Sequence, residues 1–152
     1  MTRDPNDDLE LTIDKFIFRF PKRLRYSEAG LWIQQEDSLL RMGMSDFAQQ
    51  RNGDIAFANL TPAGTLLDAN DEIASIESVK VNMSFPSPVK GKIVQVNLLL
   101  QESPELINQE PYGRGWMVIM QPEDLTQDLG RLMTAEAYSR MARQQAEAEL
   151  KP

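Results

Sequence analysis

The stretch Ile76-Glu77-Ser78-Val79-Lys80-Val81-Asn82-Met83 decides how this chain is read. Val79, Val81, Met83 and Phe85 alternate with Lys80, Asn82 and Ser84. A period of two marks a β-strand with one buried face, because successive side chains point to opposite sides of a strand. The alternation therefore puts Val79, Val81, Met83 and Phe85 on the core side and Lys80 in water. Taken alone, an exposed strand lysine is a solvated charge that aids solubility. Its surroundings decide whether it is more.

Short apolar runs lie on both sides of this stretch. Residues 31–33, 38–42, 55–60, 65–67, 92–96 and 117–120 read as strands, and residues 73–79 and 81–85 as two strands that meet around Lys80. Glu36-Asp37, Pro62-Ala63-Gly64, residues 68–71, the Pro86/Pro88 pair and Gly91 supply the turns between them. Many short strands separated by Gly, Pro and Asp turns predict a mainly-β sandwich or barrel. Ser45 is placed to cap a short helix over residues 46–51, which Asn52-Gly53 ends. Residues 104–107 read as one helical turn. Leu125, Leu129, Leu132 and Met133 fall at helical spacing, and Thr134 can cap a last helix that runs to about Leu150 and frays in its outer half.

The first residues have a different texture. Residues 1–12 are polar and Asp-rich and read as a disordered tail. Phe16-Ile17-Phe18-Arg19-Phe20 reads as an extra strand or helix laid on the body, with the charges of Lys22, Arg23 and Arg25 in water. The alternative is a docking arm for an acidic partner or a lipid surface. The chain thus divides into an N-terminal extension over 1–25, partly disordered, and a domain over 26–152.

Composition removes several classes of function. A net charge of -7 argues against nucleic acid as a partner. There is no Cys and no His, so the chain has no thiol nucleophile, no Ser-His or Cys-His pair and no thiolate or imidazole metal site. No catalytic residue and no metal ligand is assigned. Chemistry in which such a chain takes part is carried by a group attached to it. The acidic start, residues 1–8, lacks the basic-then-apolar order of a signal peptide, and no apolar run reaches the roughly 18 residues of a membrane span. The expected location is the cytoplasm.

Several stretches, taken as an ordered set, resemble the glycine-cleavage H-protein family of lipoyl carriers. They are Trp32; Gly43-Met44-Ser45-Asp46-Phe47-Ala48-Gln49; Gly53-Asp54-Ile55; Ile76-Glu77-Ser78-Val79-Lys80; Ser87-Pro88-Val89-Lys90-Gly91; Val96-Asn97; and Ser103-Pro104-Glu105-Leu106-Ile107-Asn108, leading to Pro111-Tyr112-Gly113 and Gly115-Trp116. The resemblance covers residues from about Gly30 to Met141. It implies a barrel-sandwich hybrid of the lipoyl/biotinyl-carrier type with short helices and a C-terminal helix. It puts Lys80 at a hairpin tip, with lipoic acid as the covalent cofactor in amide linkage, and makes Glu77 the residue that lipoylation enzymes read. Biotin carriers usually have Met on both sides of the lysine, whereas Val79 and Val81 stand here. The implied role is a non-catalytic swinging-arm carrier. Its implied partners are a lipoate ligase or lipoyl-transfer enzymes and dihydrolipoamide dehydrogenase. An exposed ammonium must lose its proton before it attacks an acyl group, so the ligase supplies the base.

The chain departs from the family pattern around the arm. Where members read Ser-His-Glu-Trp, Ala29, Gly30 and Leu31 precede Trp32. An Asp expected a few residues after the lysine is Ser84, and a His near the short helix falls at about Arg51. In the family those carboxylates hold a cationic aminomethyl cargo through charge-assisted hydrogen bonds. Their loss resembles a second branch, lipoate-binding proteins that serve a heterodisulfide-reductase-like complex in sulfur oxidation. The expectation is therefore a carrier of sulfur intermediates. Carriage of the aminomethyl group of glycine with the glycine-cleavage enzymes is the alternative, and a relic whose Lys80 is never modified is a third.

Overall fold

Two antiparallel sheets bury their apolar faces against each other in the computed structural model, which describes residues 7–150. The larger sheet has the order β3 (Arg25–Tyr26), β4 (Leu31–Glu36), β5 (Leu39–Met44), β11 (Val118–Pro122), β10 (Gly91–Val96), β7 (Leu66–Leu67). The smaller has β6 (Ile55–Leu60), β8 (Glu72–Ser78) and β9 (Asn82–Pro86) in that order. Leu40, Met42, Val118 and Met120 of one sheet share a cluster with Ile73, Ile76 and Phe85 of the other. This is the mainly-β sandwich that the spacing of strands and turns predicts. Gly43 faces Trp32 across β4 and β5, and a Cβ there would come within 2.7 Å of the indole. The missing side chain lets Trp32 lie flat on the strand and donate from Nε1 to the Pro111 carbonyl at 2.7 Å.

Four α-helices and a 3-10 turn (Leu98–Gln101) complete the described residues: α1 (Asp46–Asn52), α2 (Leu106–Gln109), α3 (Leu125–Arg131) and α4 (Ala135–Leu150). Ser45 caps α1 as its sequence requires, its Oγ accepting from the Ala48 amide at 3.1 Å. Thr134 does the same for α4 toward Ala137. The outer half of α4 is helical to Leu150, and Ala146 packs on a second apolar cluster, in contrast to the frayed end expected from its Gln, Glu and Ala content.

That second cluster corrects the reading of the N-terminus. Residues 8–12, expected as disordered tail, belong to β1 (Asp8–Ile13), which pairs antiparallel with β2 (Phe16–Pro21). Residues 1–6 lie outside the described residues. Phe16–Phe20 is a strand laid on the body. Leu11, Ile13, Phe18 and Phe20 are buried, each contributing about 1.5–3 kcal/mol by leaving water. Phe18 meets Phe47 of α1 edge-on at 5.0 Å, and Phe20 meets Tyr138 of α4 at 5.5 Å. Tyr138 in turn stacks on Tyr26 at 4.8 Å. Aromatic contacts of this kind add to area burial and fix orientation. The hairpin is thus sealed to both α1 and α4.

Candidate functional site

The last paired residues of β8 and β9 are Glu77 and Asn82, so residues 78–81 form the tip of a hairpin with Lys80 on it. Ser78 holds the tip. Its amide donates to the Val81 carbonyl at 3.0 Å, and its hydroxyl donates to the same carbonyl at 2.9 Å. The hydroxyl oxygen accepts from the Lys80 and Val81 amides at 3.2 and 3.0 Å. A serine that bonds backbone groups two and three residues ahead stabilises a turn locally. Lys80 is exposed on this tip. The alternation overstated burial here: Val79 is 73% exposed and Val81 45%. Both lie beyond the last rung of the ladder, outside the sandwich core. Burial begins with half-buried Met83 and is complete at Phe85.

The tip rests on the loop that leaves α1. Gly53 has φ 74°, a left-handed value that glycine adopts without strain. A Cβ there would lie 3.4 Å from Val79 Cγ2 and 3.5 Å from Lys80 Cε. Gly53 therefore caps α1 and leaves the lysine stem room to pass. The Val79 amide donates to the Asp54 carbonyl at 3.1 Å, which ties the tip to the loop. Asn108 of α2 fixes that loop in turn: its Nδ2 donates to the Gly53 carbonyl at 2.9 Å and to Gln49 Oε1 at 3.0 Å, and its Oδ1 accepts from the Ile55 amide at 2.9 Å. At the other end of α1, Ser45 shares a buried hydrogen bond of 2.8 Å with Tyr138. Burial pushes the Tyr138 phenol up to about 12, the Ser45 hydrogen bond opposing it, so the hydroxyl stays neutral.

A cavity of about 550 Å³ opens beside the tip, with Lys80, Val81 and Met83 on one side and Ile13, Phe16 and Phe18 on the other. Arg51 lines it as well. It pairs with Glu149, donates to Gln145 Oε1 at 3.1 Å, and its guanidinium lies 5.0 Å over the Phe47 ring. The other positions singled out in the sequence go elsewhere. Leu31 is fully buried in the core, Ala29 is half-buried against it, and neither lines this cavity. Ser84 is exposed and donates to Glu72 Oε1 at 2.6 Å. Glu77 is exposed, the third residue before Lys80 on the same hairpin. The structure thus brings Lys80 and Arg51 to one cavity and leaves Leu31, Ala29 and Ser84 outside it. Ser78, Gly53 and Asn108 position the lysine without having been assigned that role from sequence. Their signals were a serine two residues before the lysine, a glycine ending a capped helix, and an amide two residues after the buried Leu106.

Comparison with known proteins gives one answer along most of the chain. The family model described as glycine cleavage H-protein matches residues 24–145. The glycine cleavage system H protein of Anoxybacillus flavithermus is 42% identical over 124 residues, covering 82% of this chain and 97% of that protein. That of Geobacillus thermodenitrificans is 42% identical over 121 residues, covering 80% and 94%. The crystal structure of a glycine cleavage system H protein from Mycobacterium marinum superposes with a TM-score of 0.73 at 29% identity, over 80% of this chain and 98% of that one. The β1–β2 hairpin lies ahead of the residues that the family model matches.

Proposed function

The chain belongs to the glycine cleavage H-protein family, and we propose on that premise that Lys80 bears its lipoic acid and presents it to the enzymes of the glycine cleavage system. Glycine cleavage H proteins are non-catalytic carriers with lipoic acid joined covalently to a lysine. The observation that carries the choice of lysine is the tip itself: an exposed Lys80 held by Ser78, standing over Gly53 on a loop locked by Asn108. A lysine so placed can enter a ligase active site while its backbone stays fixed. Exposed Glu77, on the same hairpin, is the feature such an enzyme would read. The cavity beside Lys80 offers an arm with a hydrocarbon chain and a sulfur ring the apolar side chains of Ile13, Phe16, Phe18, Val81 and Met83, set among the polar Asp14, Gln50, Asn52 and the Arg51–Glu149 pair. Lipoate supplies a dithiolane that is reduced and reoxidised as the cargo changes hands, with dihydrolipoamide dehydrogenase closing the cycle. No helix among the described residues is long and apolar enough to cross a membrane, and we assign the carrier to the cytoplasm.

A second reading keeps the lipoyl carrier and changes its cargo. It is favoured by the residues at the family's cradle positions: Leu31 is apolar and fully buried, and Ser84 is a hydroxyl bonded to Glu72. Neither offers a carboxylate to a cationic aminomethyl group, and losing one charged hydrogen bond costs about 1.5–3 kcal/mol. In that reading the arm carries sulfur intermediates for a heterodisulfide-reductase-like complex. The relatives named glycine cleavage system H protein favour the first reading. The deciding assay is glycine decarboxylation and bicarbonate exchange with purified partner enzymes, using lipoylated protein. A rate comparable with that of a bacterial H protein establishes the glycine carrier. A background rate, from protein whose dithiolane is still readily reduced, transfers the assignment to the second reading.

A further inference from the structure

We propose that Phe57 is the apolar anchor by which the lipoate-transferring enzyme docks on this carrier, its ring seated in a pocket of that enzyme while Glu77 beside it meets a basic side chain. The inference rests on Lys80 being the lysine that is acylated, and it names a further recognition residue for that reaction. It starts from a register shift. In β6, Ile55 pairs with Ser78 and Phe57 with Glu77, so Ala56 is an extra residue and the strand carries a β-bulge. Regular pairing would set Ala56 opposite Glu77 and Phe57 opposite Ile76, which is buried in the core. Directly paired residues project from the same face of a sheet. A regular β6 would therefore bury the aromatic ring and leave a methyl group outside. The bulge does the reverse: Ala58 takes the place opposite Ile76, and Phe57 stands 61% exposed on the outer face. A phenylalanine gains more from burial than an alanine does, and bulges that re-aim a side chain gather beside functional sites.

The position of Phe57 selects the occupant. Phe57, Glu77 and Asn82 form the last rung that spans all three strands of the small sheet, all three are exposed, and the tip with Lys80 follows at once. An enzyme that acylates Lys80 Nζ must bring its active site within one lysine side chain of this backbone, so its body covers the rung. An enzyme that works on the dithiolane meets it at the far end of the arm and can stand off. Leu98 and Leu99 are exposed on the 3-10 turn beside β6, so apolar surface is presented on both elements. An aromatic side chain that a partner buries fully, with polar contacts around it, is the usual energetic centre of such an interface.

The test follows transfer to the full-length apoprotein by a purified bacterial lipoate–protein ligase supplied with lipoate and ATP. The amide forms at Lys80 Nζ as the acyl–phosphate bond of adenylated lipoate breaks; AMP leaves, and the proton of the amine passes to a base of the enzyme. Phe57→Ser is expected to raise the KM for the carrier about tenfold with kcat little changed, and Phe57→Leu to recover most of the loss. Leu66→Ser, at an exposed apolar residue of the other sheet, leaves both constants at wild-type values. Once loaded by long incubation, Phe57→Ser is reduced by dihydrolipoamide dehydrogenase at the wild-type rate. In the wild type, ligase binding slows hydrogen exchange at the amides of residues 56–58, a measurement that needs no variant. Unprotected amides there, or equal KM values in wild type and folded Phe57→Ser, overturn the docking role. An equal loss with dihydrolipoamide dehydrogenase overturns the choice of occupant. A wild-type protein that the ligase does not acylate on Lys80, read by peptide mass mapping, overturns the choice of lysine as well; acylation of Lys80 that is indifferent to Phe57 overturns the docking role alone.

Discussion

At the scale of single residues, the tip that carries Lys80 is held by hydrogen bonds to Ser78 and not by burial of the valines on either side of the lysine. Period-two alternation put Lys80 in water, as found, but it also put Val79 and Val81 in the core, where the structure leaves them exposed. A pattern of side-chain polarity runs through a turn without marking it; the pairing ends at Glu77 and Asn82, and that register is a property of the folded ladder. Ser78 is the residue that turns the chain, through four hydrogen bonds made by its hydroxyl and amide. Glu77 carries a different kind of claim. It is an exposed strand carboxylate, so Glu77→Ala should change stability by no more than about 0.5 kcal/mol. We expect the same substitution to slow lipoylation markedly, measured as initial rate with purified ligase at equal folded fraction. An unchanged rate reduces Glu77 to a surface charge.

At the scale of elements, the strands, the Ser45-capped helix and the Thr134-capped helix follow from turn residues, caps and periodicity. The first strand of the N-terminal hairpin did not, although Leu9, Leu11 and Ile13 alternate with Glu10 and Thr12; its partner over Phe16–Phe20 was legible as a strand or helix laid on the body. The Asp-rich start masks that signal, and the aromatic partners that hold β1 and β2, Phe47 and Tyr138, come from elements far along the chain. Long-range packing of this sort has no local signature. The same holds for Asn108, which joins α2 to the loop beneath the lysine from more than fifty residues away. Asn108→Ala leaves the Ile55 amide and the Gly53 carbonyl without their partner. We expect a loss of about 1–3 kcal/mol, read from the urea midpoint, because half-buried polar groups are costly to leave unpaired. A second expectation follows from the geometry: slower lipoylation of Lys80 at equal folded fraction, since the tip loses its platform. A variant as stable as wild type would show that solvent replaces the amide and that the loop holds itself.

At the scale of the whole molecule, two apolar clusters share the work: one inside the sandwich, one joining the hairpin, α1 and α4. Family membership explains the first and most of the second, and the hairpin residues stand ahead of the match. The molecule also contains one poorly placed charge. Asp128 of α3 is buried, its Oδ2 has no hydrogen-bond partner among the described residues, and burial raises its carboxyl above the ordinary range. A carboxyl raised in the folded state binds its proton more tightly there than in the unfolded chain. Its contribution favours the fold most at low pH and is lost as pH rises through the folded value. Asp128→Asn should therefore be more stable than wild type at pH 7, with the advantage gone below about pH 4, where both states of the wild type are protonated. Thermal melts at the two pH values check this; an advantage that grows on acidification contradicts it. The central claim, that this is a lipoyl carrier and Lys80 its attachment point, is tested most directly by intact-mass analysis of the protein from its native host beside Lys80→Arg. The account predicts one lipoyl group on the wild type and none on the variant. Unmodified wild-type protein, or a lipoyl group that persists in Lys80→Arg, contradicts it.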